Sequence, residues 1–213
     1  MLNFGIPGFI AAAFTLVIAF TVHEFAHAWT ADQLGDDTPR YNGRLTLNPL
    51  AHLDPLGSLM LLIAGFGWAK PVPVNPVILQ RRTPAGMMLV SAAGPFSNLV
   101  MAILAAIPFK AGLLAPTFYT SSRVLPSLSF VLSLFILFNL FLLLFNLLPV
   151  FPLDGEKVLM HFLPYSGQET LNRIRPYGPM ILMLLVFLGS FGGINILGAL
   201  ISTPAFRLFQ LLT

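Results

Sequence analysis

"GFIAAAFTLVIAFTVHEFAHAW", Gly8 to Trp29, is an apolar run that ends in two histidines and a glutamate. No charge occurs from Met1 to Val22. A helix starting near Gly8 carries His23 about 22 Å along its axis at ~1.5 Å per residue, still inside a ~30 Å hydrocarbon core. The stretch therefore reads as a membrane span that holds His23, Glu24 and His27 within the bilayer, nearer one face. Ionisable groups are costly there unless they face one another, an ion or a wet cavity.

The composition agrees. Of 213 residues, 56% are hydrophobic and only 9% charged, with mean hydropathy +0.84; a soluble domain carries roughly 25% charged residues. Two further uncharged runs are long enough to cross, Met87 to Phe109 and Val124 to about Leu148. Pro176 to Phe206 is also uncharged, and "GSFGGIN" (189–195) allows either one helix or a helix with a returning segment. Pro55 to Ala69, "PLGSLMLLIAGFGWA", is interrupted by Gly57, Gly65 and Gly67, so it reads as re-entrant or interfacial. The expected fold is an all-α polytopic membrane protein. It is a bundle of four to six membrane segments with a small extended or re-entrant element between the first and second long spans. We expect one domain over residues 1–213, with a core at 8–160 and C-terminal membrane segments at 176–210. The N-terminus has no basic n-region or small-residue cleavage site and reads as a retained span.

Charge placement orients the chain. Arg40, Arg44, Lys70, Arg81 and Arg82 lie between the first and second long spans, while Lys110 and Arg123 alone flank the next loop, which assigns residues 32–86 to the cytoplasm. Asp154, after the third long span, then returns to the side of His23. The net charge of +3 comes from scattered residues, which argues against a nucleic-acid partner. There is no cysteine, so any metal must take His, Asp or Glu.

Residues four apart share a helix face, so His23 and His27 can aim ring nitrogens at one ion, with Glu24 close enough to act on a water bound there. This is the H-E-x-x-H arrangement of zinc hydrolases, and a chance match in this composition is on the order of a few in a thousand. The alternative is a polar patch of helix packing or a water-lined cavity. Catalytic zinc takes three protein ligands; the candidates for the third are Asp32, Asp36, Asp37, His52, Asp54, Asp154, Glu156, His161 and Glu169. Asp154 stands out because "NLLPVFPLDG" (146–155) breaks a full span with Pro149 and Pro152 and adds Gly155. Irregular backbone at membrane depth is tolerated where protein buries it or it lines a cavity. Asp154 could also cap the helix that follows, and capping and ligation are not exclusive.

These stretches resemble the site-2 protease family of intramembrane zinc metalloproteases. The resemblance rests on "HEFAHAW", "NLLPVFPLDG", "RLTLNPLAHLDPLGS", "GWAKPVPVNP" and "AGPFSNLV", which cover most of residues 20–157. With neither a PDZ insertion nor a CBS tail, the chain resembles the minimal branch. The resemblance implies a Zn2+ cofactor on His23, His27 and Asp154, with Glu24 as catalytic base and a functional role for Asn146 and, more weakly, Asn98. It implies transmembrane-helix protein substrates, cleaved within or near their membrane segments. It also implies a prokaryotic cytoplasmic membrane, with the active site toward the cytoplasm.

An amide such as that of Asn146 could hydrogen-bond a carbonyl oxygen as charge develops on it, or could bridge spans. His52 and Asp54 could orient a ligand, hold a second metal or form a turn, and the turn is favoured for Asp54. His161 reads as exposed or interfacial. "RLTLN" (44–48) alternates like a strand, and Pro71 and Pro73 leave the N–H groups of Val72 and Val74 on one edge of "KPVPVNP". A small sheet there could pair with an unwound substrate. The competing functions are a metal transporter and a non-catalytic metal-binding membrane protein. A transporter has no use for Glu24 beside the His pair, and the internal duplication common in transporters is not visible here. A prenyl-protein endopeptidase would need a downstream helical Glu ligand, a context that Glu156 and Glu169 lack.

Overall fold

The computed structural model describes residues 5–57, 60, 67–120, 124–191 and 196–213. In chain order its α-helices are α1 (Gly5–Gln33), α2 (Thr38–Tyr41), α3 (Pro76–Arg82), α4 (Gly86–Lys110) and α5 (Leu128–Asn146). They continue with α6 (Asp154–Phe162), α7 (Tyr165–Ile174), α8 (Gly178–Phe191) and α9 (Thr203–Leu212). Among the described residues, α1, α4 and α5 are long and apolar enough to cross a membrane. They coincide with the three spans read from the sequence, and the protein is an integral, multi-pass membrane protein. The re-entrant or interfacial segment expected at Pro55 to Ala69 falls largely outside the described residues, and "GSFGGIN", read as allowing one helix or a helix with a returning segment, falls partly outside them.

Small side chains let the helices approach. Along α1 the buried positions include Pro7, Ala11, Thr15, Ala19, His23, His27 and Ala31, each four residues after the last. Along α4 the same spacing runs through Gly86, Val90, Gly94, Asn98, Ala102 and Ala106. Two ridges of four-residue spacing face each other, and the histidines and Asn98 lie within them. In lipid, association depends on close packing and interhelical hydrogen bonds rather than on apolar burial, so such stripes are where helices meet. Large side chains point the other way: Phe14 is 55% exposed and Phe96 63%, as expected of a surface solvated by acyl chains. The third helix, α5, closes the core through Ile136, Leu137, Leu140 and Leu143, with Ala205 and Phe209 of α9 against them.

Between α1 and α4 the chain doubles back over one end of the bundle. Gly35, at φ +86°, takes the left-handed conformation that ends α1. The buried Asp36 then ties the turn to a distant segment: its Oδ1 accepts from the N–H and hydroxyl of Thr38, and its Oδ2 from the Asn75 N–H at 2.6 Å. The expected sheet does not form among the described residues. Pairing is limited to one antiparallel bridge between Leu53 and Ala69, with the Lys70 N–H donating to the His52 carbonyl at 2.8 Å. "RLTLN" fails as a strand because its side chains satisfy the backbone locally. The Asn48 amide oxygen caps the short 3-10 turn Pro49–Ala51, and the Thr46 hydroxyl accepts from the Asn48 N–H. Such bonds compete with a ladder.

Candidate metal centre

One face of α1 presents His23 and His27, and the chain returns to them twice. After α5, the irregular stretch from Leu147 to Leu153 turns back and starts α6 at Asp154. Gly155 permits that return, since a Cβ there would lie 2.3 Å from the Leu147 carbonyl oxygen. Asp154 does not cap the helix: Leu153 occupies the cap position and no side chain caps it. The carboxylate instead reaches the histidines, with Oδ2 3.2 Å from Nε2 of each, and the two Nε2 atoms are 3.0 Å apart. All three residues are buried.

The outer ring nitrogens decide what these short distances mean. His23 Nδ1 is 2.6 Å from Asn98 Oδ1, and His27 Nδ1 is 2.7 Å from the Val90 carbonyl oxygen. Asn98 donates through Nδ2 to Asn139 Oδ1 at 2.8 Å, and Asn139 Nδ2 donates to the Phe135 carbonyl at 2.8 Å. A carbonyl only accepts, so every bond in that relay has one direction, and both Nδ1 atoms carry the proton. In the neutral form of each ring, the form that binds a metal, Nε2 then turns a lone pair toward the other ring and toward a carboxylate. Three acceptors with no proton between them repel unless a cation sits among them. The corners of a tetrahedron whose centre lies ~2.0 Å away are ~3.3 Å apart, close to these separations.

Gly94 makes the space. A Cβ there would stand 2.4 Å from His27 Nε2 and 2.5 Å from His23 Nε2. Any side chain there would collide with both rings, so the glycine is what lets α4 close onto them. The residues present thus fit a zinc ion by donor type, spacing, proton placement and room.

Glu24 lies beside this centre, and its Oε2 accepts the Val72 N–H at 3.2 Å. Val72 is therefore engaged with Glu24, and the expectation that it offers its N–H to a substrate strand is corrected. Arg44 is 3% exposed, donates through Nη2 to the Lys70 carbonyl, and has Nη2 3.9 Å from Glu24 Oε2. Burial lowers its pKa from the usual guanidinium value, and the charge of Glu24 works against that shift. A cavity of about 520 Å3 opens from the His pair. Glu24, Val74, Phe138, Asn146 and Lys157 are among the residues lining it.

The other candidate residues are not among the three converging donors. Asn146 donates to the Leu142 carbonyl at 3.0 Å and keeps a second amide hydrogen. Asn98 stands behind His23 rather than facing a substrate. His52 is fully buried, with Nε2 on the Thr46 carbonyl at 2.7 Å. Asp54 caps a turn by accepting the Gly57 N–H at 2.8 Å. Asp32 pairs with Arg40 and Glu169 with Arg173, and Glu156 lies 3.5 Å from Arg175 Nε. His161 is exposed. Sequence reasoning missed Gly94, Arg44 and Asn139. Asn139 had a signal, as an amide within the apolar run "LSLFILFNLFLLLF" (132–145 with flanks Leu132 and Phe145).

A multi-pass helical bundle with an H-E-x-x-H pair completed by a distant aspartate defines a class, the membrane-embedded zinc metalloproteases. The sequence matches Peptidase family M50 over residues 11–189, and the chain belongs to that family. It is 42% identical over 175 residues to "Putative zinc metalloprotease YwhC" of Bacillus subtilis, covering 80% of this chain and 77% of that protein. It is 34% identical over 185 residues to "Putative zinc metalloprotease Rip2" of Mycolicibacterium smegmatis, covering 81% and 67% respectively. No solved structure matches it. The protein is an intramembrane zinc metalloprotease, as the sequence resemblance implied.

Proposed function

We propose that His23, His27 and Asp154 hold the zinc ion and that Glu24 is the general base of peptide hydrolysis. The carrying observation is the convergence of two Nε2 lone pairs and one carboxylate oxygen within 3.0–3.2 Å, over the space left by Gly94. A bound zinc ion supplies Lewis acidity to a carbonyl oxygen and makes water nucleophilic near neutral pH. Glu24 takes a proton from the attacking water and returns it to the departing amine. With Oε2 engaged by the Val72 N–H, Oε1 is the oxygen free for that exchange. The second amide hydrogen of Asn146 donates to the substrate carbonyl oxygen as negative charge gathers there.

The substrates are transmembrane-helix proteins, bound in the bilayer and locally unwound at the bond to be cut. Support comes from the mainly apolar lining of the cavity, which includes Val74, Phe138 and Phe141. The active site faces the cytoplasmic side of a prokaryotic membrane, a reading supported by the basic residues between α1 and α4. The test is a quenched-fluorescent peptide with one polyleucine span interrupted by Asn-Pro, incubated with zinc-loaded protein in detergent. Cleavage by wild type and a loss of about 10²- to 10⁴-fold in Glu24→Gln with equal zinc is expected. Equal cleavage by both would overturn the role of Glu24.

A further inference from the structure

Arg44 is a guanidinium buried to 3% exposure in the loop between α1 and α4, and its Nε and Nη1 have no hydrogen-bond partner. A buried charge needs a counter-ion, and the carboxylate within ion-pair distance among the described residues is Glu24, 3.9 Å from Nη2. The same Nη2 donates to the Lys70 carbonyl. Two residues further on, the Val72 N–H donates to the oxygen of Glu24 that Arg44 faces. The three groups form a closed bracket: Arg44 grips the extended segment at Lys70, the segment grips Glu24 at Val72, and Arg44 faces Glu24 directly.

We propose that Arg44 is a positioning residue for hydrolysis. It fixes Glu24 Oε2 against the 70–72 segment so that Oε1 alone is presented to the reacting water. This rests on the assignment of Glu24 as general base, but the bracket itself is independent of that assignment. Oε2 already faces one N–H and one cation, so rotating the carboxylate would break both contacts. Lys70 and Val72 are separated by Pro71, whose fixed φ makes the spacer stiff, so a grip at Lys70 is transmitted to Val72. The loop beneath is braced as well: the Lys70 N–H donates to the His52 carbonyl, and the His52 ring donates to the Thr46 carbonyl, two residues from Arg44. His52 thereby has a place in the architecture as a support for Arg44 rather than as a metal ligand.

The experiment uses full-length, zinc-loaded protein in detergent, as wild type, Arg44→Met, Arg44→Lys, Glu24→Gln and Arg44→Met/Glu24→Gln. Two readouts are taken: kcat and KM on the interrupted polyleucine peptide, and hydrogen exchange at the Val72 amide by NMR. We expect Arg44→Met to lower kcat about 100-fold, the scale of an ångström of misplacement, with KM and zinc content unchanged. Arg44→Lys should recover part of that loss, since an ammonium can hold one of the two partners but not the fork. In the Glu24→Gln background, Arg44→Met should cost nothing further. Val72 exchange should quicken in Arg44→Met. An equal further loss in the double variant, a changed KM at constant kcat, or unchanged Val72 exchange in folded Arg44→Lys and Arg44→Met would overturn the proposal. If wild type does not cut the peptide, the assignment of the substrate fails, and Val72 exchange alone then decides the bracket.

Discussion

Asn98 Oδ1 lies 2.6 Å from His23 Nδ1, on the side of the ring away from Asp154. Through Asn139 that contact ends on the Phe135 carbonyl, so α4 and α5 together set which nitrogen of an α1 histidine carries the proton. Partners of this kind hold a metal-ligating ring in orientation and raise its basicity, and removing them costs about 10- to 100-fold in metal affinity. Asn98→Leu should weaken zinc binding by that factor in a chelator competition, and Asn139→Leu by less. Unchanged affinity in both would mean that the relay serves packing alone.

Gly94 gives a sharper expectation, because a Cβ there would collide with both histidine rings. Gly94→Ala adds one methyl group within 2.5 Å of both Nε2 atoms, and the buried α1 and α4 stripes leave the rings little room to retreat. Zinc affinity should fall by at least about 100-fold, while circular dichroism reports the wild-type helical signal. Full zinc affinity in Gly94→Ala would mean that the rings do not depend on the close approach of α4 for their donor geometry.

Asp36 tests the scaffold apart from the chemistry. It is fully buried and accepts three hydrogen bonds, one of them from Asn75 on the far side of the inter-span loop. Asp36→Ala leaves those donors unpaired, which should destabilise the protein by about 2–4 kcal/mol. The expected reading is a lower midpoint in thermal or denaturant unfolding, with zinc stoichiometry retained at low temperature. Loss of zinc with no loss of stability would instead make Asp36 part of the metal site.

The site was legible where a local rule sufficed and opaque where it required the fold. The four-residue spacing of His23 and His27 fixes a shared helix face before any coordinates exist. The proline-broken end of a span singled out Asp154 for the same reason: a charge at that depth needs a partner. Gly94 could not be found this way, because "AGPFSN" gives no hint that its glycine, rather than its asparagine, stands against the rings. Val72 was placed on the correct edge by its flanking prolines, but its partner is Glu24, a contact 48 residues distant in sequence. "RLTLN" misled outright. Its alternation is that of a strand, whereas Thr46 and Asn48 use their side chains to satisfy the turn around Pro49.

The proposed general base separates metal binding from turnover. Glu24 touches the Val72 amide and lines the cavity, but its carboxylate is not among the three converging donors. Glu24→Gln should therefore keep its zinc and lose about 10²- to 10⁴-fold in turnover, the range usual for a positioned general base. Activity on the interrupted polyleucine peptide, normalised to bound zinc, is the check. A proportional loss of zinc and activity would instead mean that Glu24 supports the metal.

The central claim is that His23, His27 and Asp154 make one zinc site, and it can be tested without a substrate. Zinc per chain would be measured by mass spectrometry on detergent-purified wild type, Glu24→Gln, His23→Ala and Asp154→Ala. About one zinc in the first two and its loss from the last two is the predicted result, given the three protein ligands of a catalytic site. Zinc retained at full stoichiometry and affinity in Asp154→Ala would contradict the account, because the carboxylate 3.2 Å from both Nε2 atoms would then not be a ligand.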